Sequence, residues 1–380
     1  MRALFVLLAV LALAGCSALD RINPFAKPTG PQPAELPQLG KEQPVKVLWS
    51  ANVGDADRYV FSPALVDDAI YAAARSGNVV RLDAATGRQA WSVSVETRLS
   101  AGVGAGARTV VVATEEGEVI ALEARDGKER WRARVSSEVL AAPTVASGVV
   151  LVRSVDSRVF ALGEEDGKRR WVYQRAASSL MVRTPNGIAV EDDTAFAGFS
   201  GGRLAALALA SGGVLWEVAV ANPKGSTELE RVTDVIGEPA LQGREVCAAA
   251  YQGRVACFDA SSGRPLWARE LSSLTGVGVD ARYAYAADDR GAVHAIDRSS
   301  GRPAWKQDRL TLRQLTQPAP VGDTVVVGDF EGYVHFLARD SGAFVARYAT
   351  SGGAIRAVPL PIRGGVLVQT RNGGLYALAL

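Results

Sequence analysis

The sequence predicts an all-β protein: an eight-bladed β-propeller of four-stranded antiparallel blades, the last blade closed by strands from both termini. Three observations predict it. First, a phrase ending in Trp recurs with a fixed spacing of 14 residues, at 77–91, 117–131, 157–171, 202–216, 253–267 and 291–305. Second, a seventh copy starts at Gly332 with Ala346 in the Trp position, and an eighth starts at Gly374 and stops with the chain at Leu380; its missing end stands at the other terminus as Val47-Leu48-Trp49. Third, no stretch carries a helical period of apolar residues. Four short strands every ~42 residues is the arithmetic of a propeller blade, and pairing both termini within one blade closes the ring.

The chain opens with Arg2 and an apolar run, Ala3 to Leu13, closing as Leu13-Ala14-Gly15-Cys16. The run is shorter than the roughly 20 residues a bilayer span needs, and has the dimensions of a secretory h-region. Its last four residues resemble a bacterial lipobox. The resemblance implies a signal peptide over 1–15, cleavage before Cys16, and lipidation of the Cys16 thiol and the new amino terminus; a plain secretory signal with an incidental Cys is the alternative. Several acyl chains anchor stably where one is marginal. Ser17, rather than Asp, follows Cys16, which favours the outer membrane with the protein facing the periplasm. Residues 16–44 hold Pro24, Pro28, Pro31, Pro33, Pro37 and Pro44 with little apolar content. Such composition favours an extended, semi-rigid tether that holds a folded body off the lipid.

The propeller is expected over 45–380. Within each repeat an alternating strand such as Val119-Ile120-Ala121-Leu122 leads through a Gly turn, Arg125-Asp126-Gly127-Lys128, into a strand ending at Trp131. The Gly supplies positive φ and the Asp or Ser beside it bonds the local backbone. Asp83, Asp126, Asp259 and Asp297 therefore serve turns. The Trp residues, spread around a circumference, cannot converge on one ligand, and are expected to pack blade against blade.

All variation in length lies between one Trp and the next repeat. Two consecutive gaps, 171 to 202 and 216 to 253, are the longest. Both join an outer strand to the inner strand of the next blade, so both lie on one face of the disc, where extra residues cost little and function tends to sit. The first holds Leu180, Met181, Val182 and Arg183; the second runs from Gly225 through Asp234 to Ile236. An apolar segment rimmed by a guanidinium suits a protein-binding hot spot. The alternative is that Arg183 and Asp234 merely pair with each other and pin the two loops, which is worth little at a surface.

Composition limits the remaining classes. With 42 Lys+Arg against 40 Asp+Glu the net charge is +2, which argues against nucleic-acid binding. The 2 His and 3 Cys form no ligand-spaced cluster, so no metal or cofactor is expected. His294 and His335 hold the same place in successive repeats and read as polar strand positions rather than a metal pair. Cys247 and Cys257 flank the turn at Gln252-Gly253. A disulfide forms there if the register sets them opposite, whereas a one-residue slip turns the side chains to opposite faces.

The phrase Gly-x-Val-x-x-Leu-(Asp)-x-x-x-Gly-x-x-x-Trp resembles the PQQ-like repeat of quinoprotein-type propellers. Together with the lipobox, the Pro-rich tether and the segment Gly225 to Asp234, the chain resembles the BamB family, the lipoprotein subunits of the outer-membrane β-barrel assembly machinery. The resemblance implies a non-catalytic scaffold that binds a periplasmic POTRA domain of BamA and assists folding and insertion of outer-membrane β-barrels, within the rest of that complex. It implies docking through Leu180, Val182 (where the family has Leu), Arg183 and Asp234. A second family Asp falls at Ile236. Unfolded outer-membrane proteins are further candidate partners. The rival class is a periplasmic PQQ-dependent quinoprotein dehydrogenase. Such enzymes often carry an adjacent Cys pair and long inter-blade insertions, and this sequence has neither.

Overall fold

The computed structural model describes residues 31–40, 42–176, 178 and 180–380; the signal segment and Cys16 lie outside the described residues. Thirty-two strands, β1 (Lys46–Asn52) to β32 (Gly374–Ala379), form eight four-stranded sheets. Seven take four consecutive strands, as in β2 (Ala64–Val66), β3 (Ala69–Ala73), β4 (Asn78–Asp83) and β5 (Gln89–Ser94). The eighth is built from β30 (Leu360–Ile362), β31 (Gly365–Gln369) and β32, with β1 antiparallel to β32. The ring therefore closes as the split repeat predicts.

The apolar core is divided among the seams between blades. Eight clusters of buried side chains each draw on two neighbouring blades. The alternating strands supply them, since a central strand buried on both faces carries Val, Ala, Ile and Leu on both sides. All seven Trp bridge seams: each indole Nε1 donates to a carbonyl of the next blade, as Trp171 does to Leu209 at 2.8 Å. Each ring also lies on the turn glycine of that blade. A Cβ at Gly212, where φ is +70°, would come within 2.5 Å of the Trp171 ring, so the turn admits only glycine.

The disc has two unlike faces. On one, the hairpin turns lie together, Ala84 N–H donating to Asp68 O. The turn carboxylates act there: Asp83, Asp126, Asp259 and Asp297 each accept from backbone N–H groups within their own turns. The Ser261 and Ser262 hydroxyls lower the Asp259 carboxyl to about 2. On the other face lie the connectors between blades, with the turns joining second and third strands, as Leu99 N–H donating to Arg75 O shows.

The stretch expected as an extended, semi-rigid tether also makes contacts with the disc. Ala34 N–H donates to Thr311 O and Gln43 N–H to Val345 O, and Leu36 packs against the cluster that holds Trp305 and Phe344. Composition alone reads this segment as a spacer because its partners lie some 300 residues away in sequence.

Candidate functional site

The connectors at 175–187 and 220–234 are the longest in the ring and follow one another. The first joins β13 (Arg169–Gln174) to β14 (Ile188–Glu191); the second joins β17 (Val214–Ala219) to β18 (Val235–Gln242). The first holds two large apolar side chains in solvent, Leu180 at 46% and Met181 at 37% exposure. The second contains a reciprocal cap: Glu230 Oε2 accepts from Thr227 N–H at 3.1 Å, and Thr227 Oγ1 accepts from Glu230 N–H at 3.2 Å. This Thr-x-x-Glu arrangement fixes a tight turn and leaves Leu229 71% exposed. Leu229 was not singled out from the sequence, although the Thr227–Glu230 spacing is the signal that could have found it.

Asp234 joins the two connectors from beneath. It is 3% exposed, and its Oδ2 accepts from Val182 N–H at 2.6 Å. Its backbone bridges to Ser200 and its carbonyl accepts from Tyr251 N–H. Burial pushes its carboxyl up, opposed by the N–H groups of Val182 and Gly201 and by the Arg153 charge. Arg153, half-buried, has its guanidinium lowered to about 10 by desolvation, against the pull of Asp234. Its guanidinium carbon lies 4.7 Å from the centre of the Phe199 ring.

Arg183 does not pair with Asp234. Its guanidinium takes the Glu138 carboxylate in a fork, Nε to Oε2 at 3.0 Å and Nη2 to Oε1. Glu138 comes from the preceding connector, 135–143. The expected alternative, in which Arg183 and Asp234 merely bond each other, is thus replaced by two separate attachments of one segment: Asp234 to its backbone and Glu138 to its cation. The structure brings Leu180, Val182, Arg183 and Asp234 together, three along the segment and Asp234 under it. Ile236 is 2% exposed and paired with Ala249 within the sheet, so at this position the chain presents a core side chain and no surface contact.

The other candidates resolve locally. His294 and His335 each bond an aspartate of their own blade, Asp288 and Asp329, at 2.9 Å. Among the described residues no group of three or more His, Cys, Asp or Glu is placed to hold a metal. Cys247 on β19 (Glu245–Ala250) lies directly opposite Cys257 on β20 (Arg254–Asp259), both buried, with their sulfurs joined. Alkylation and mass spectrometry of non-reduced protein are expected to find neither thiol free; labelling at both positions would exclude the bridge.

A closed ring whose two longest adjoining connectors present an exposed apolar and cationic segment belongs to the class of repeat propellers that offer a surface on one face. Comparison with known proteins narrows the class. Residues 46–307 match the family described as "Outer membrane protein assembly factor BamB". The protein of that name from Bordetella pertussis is 44% identical over 98% of this chain and 96% of its own length, and that from Pseudomonas aeruginosa 43% identical over 97% and 96%. The crystal structure of BamB from Moraxella catarrhalis superposes with a TM-score of 0.80 at 28% identity, covering 88% of this chain and all of that one. The chain belongs to the BamB family. A quinohemoprotein alcohol dehydrogenase from Pseudomonas putida also superposes, with a TM-score of 0.69 over 88% of this chain and 76% of that one, but at 14% identity it shares the fold alone.

Proposed function

We propose that this protein is a non-catalytic scaffold of the outer-membrane β-barrel assembly complex, lipid-anchored through Cys16 and facing the periplasm. It docks on the POTRA region of BamA through the segment Leu180 to Arg183 and so assists folding and insertion of outer-membrane proteins. The observation that carries the reading is the way the two flanking connectors hold that segment: Asp234 bonds its backbone and Glu138 bonds its cation, while Leu180 and Met181 stay in solvent. Holding an apolar segment exposed in a fixed shape reduces the ordering cost of binding. Membership of the family, at 44% identity over nearly the whole chain, supplies the assembly role.

Arg183→Glu reverses the charge and sets two carboxylates against each other at Glu138. Co-purification with BamA from solubilised envelopes is expected to fall at least tenfold, with the thermal midpoint lowered by only a few degrees because the Arg183 side chain is half exposed. Recovery of BamA equal to that of the unaltered protein would remove Arg183 from the docking surface.

A further inference from the structure

Seven seams of the ring are closed by an indole that reaches into the hairpin turn of the next blade. The seam between the seventh and eighth blades has no such turn to receive one. The fourth strand of the eighth blade is β1 from the other terminus, paired with the third strand β32 and not joined to it by a hairpin. No hairpin there offers an acceptor carbonyl or a glycine for a ring to lie on. Ala346 on β29 (Phe344–Ala349) stands where the Trp would be, and is fully buried.

Residues between Ala34 and Val45 lie across the seventh blade. Ala34 is fastened at both its polar groups, its N–H to Thr311 O at 2.9 Å and its carbonyl to Arg313 Nη1 at 3.1 Å. Arg313 is itself buried and held by Asp329 at 2.7 Å. Leu36 enters the seam between the sixth and seventh blades beside Trp305 and Phe344. Pro37 O accepts from Arg347 Nη2 at 2.9 Å, and Gln43 N–H donates to Val345 O on the outer strand at 3.0 Å. Val45 then enters the next seam, where Tyr348 and Tyr376 face each other with ring centres 6.2 Å apart. The segment thus spans both seams of the seventh blade and covers the free edge of its outer strand.

We infer that residues 34–40 and 42–45 are a built-in clasp: the outer edge of the seventh blade is a binding surface whose partner is this chain's own N-terminal segment, which takes over the seam-closing task of the missing tryptophan. Thr311 belongs to the connector 308–318, so Ala34 is fastened on the connector face, the face that carries Leu180 and Arg183.

Hydrogen exchange on the full chain tests this. In the unaltered protein the amides of Ala34 and Gln43 are expected to exchange at least tenfold more slowly than unstructured amides. Leu36→Asp should abolish that protection and speed exchange several-fold in β29 and β32 while leaving β4 unchanged; Leu36→Met should behave as the unaltered chain. Gln43→Pro, which deletes the N–H that Val345 receives, should likewise speed exchange in β29 and β32, read at those strands alone, should Leu36→Asp fail to fold. Unstructured exchange rates at Ala34 and Gln43 in the unaltered protein would overturn the inference. So would a freed segment that leaves β29 and β32 as protected as before.

Discussion

Trp171→Ala will lower the stability of the folded chain by about 3–5 kcal/mol, the cost of removing a buried indole whose site cannot fully collapse. The ring is 8% exposed and lies on Gly212, while its Nε1 holds Leu209 O at 2.8 Å. Removing it opens a void in the seam between the third and fourth blades and strips the Leu209 carbonyl of its partner. The void has hard walls. Leu151, Phe199 and Leu207 of the same cluster are already fully buried and in contact with their own blades, so none can move in without opening a second gap. For a chain of this size the loss corresponds to a fall of roughly 5 °C in the thermal midpoint. Trp171→Phe separates the two causes, since it keeps an aromatic ring on Gly212 but donates nothing; it should cost about 1–2 kcal/mol, the price of one unsatisfied buried carbonyl plus a smaller void. Calorimetry of the three proteins measures both steps. Equal midpoints for Trp171→Ala and the unaltered chain would mean that the indole does not close the seam.

The same indoles explain why the fold was legible. A blade needs one Trp at a fixed distance from its inner turn because the next blade's hairpin sits at a fixed distance across the seam, and that geometry writes itself into the sequence as a constant spacing of 14. The split eighth repeat was legible for the same reason. Ala346 was visible as an exception but not as a consequence, since seeing its cause requires knowing that the eighth blade has no hairpin between its third and fourth strands. The candidate site was legible in its location and not in its wiring. Loop length marked the two connectors, and the residue types marked Leu180 and Arg183. Glu138 could not be found, because it is 45 residues from Arg183 and only the curvature of the ring brings the connectors together. Asp234 carried the opposite error. A carboxylate in a long polar loop reads as a surface group, and the register that turns it under Val182 depends on the bridge to Ser200 in the neighbouring blade. The segment 34–44 read as spacer because Pro-rich composition reports what a chain cannot do alone and is silent about an edge elsewhere that will accept it.

That burial decides what replacing Asp234 will do. Asp234→Ala removes the acceptor of the Val182 N–H and leaves that amide without its partner beneath the segment. The expected loss is about 2–3 kcal/mol, together with a several-fold drop in BamA recovery although Leu180 and Arg183 are untouched. Asp234→Asn keeps an amide oxygen for Val182 and discards only the charge. The charge is itself a cost, since burial raises the carboxyl above its ordinary value in spite of Val182, Gly201 and Arg153. A carboxyl raised on folding binds its proton more readily in the folded chain than in the unfolded one, so ionised Asp234 lowers stability above the ordinary carboxylate range, and the cost is relieved as pH falls through the raised value. The Asn variant should therefore lie within about 1 kcal/mol of the unaltered protein at neutral pH. The difference between the two should shift in favour of the unaltered protein on acidification toward pH ~4. Its capture of BamA should stay near that of the unaltered chain. Denaturant titrations at two pH values and pull-downs of the same three proteins distinguish the roles. If Asn loses BamA as completely as Ala while remaining as stable as Asp, the carboxylate meets the partner as a charge and does not act by holding Val182. If Ala loses neither stability nor BamA, the bond to Val182 does not set the shape of the segment, and the docking surface must be sought on other connectors of the same face.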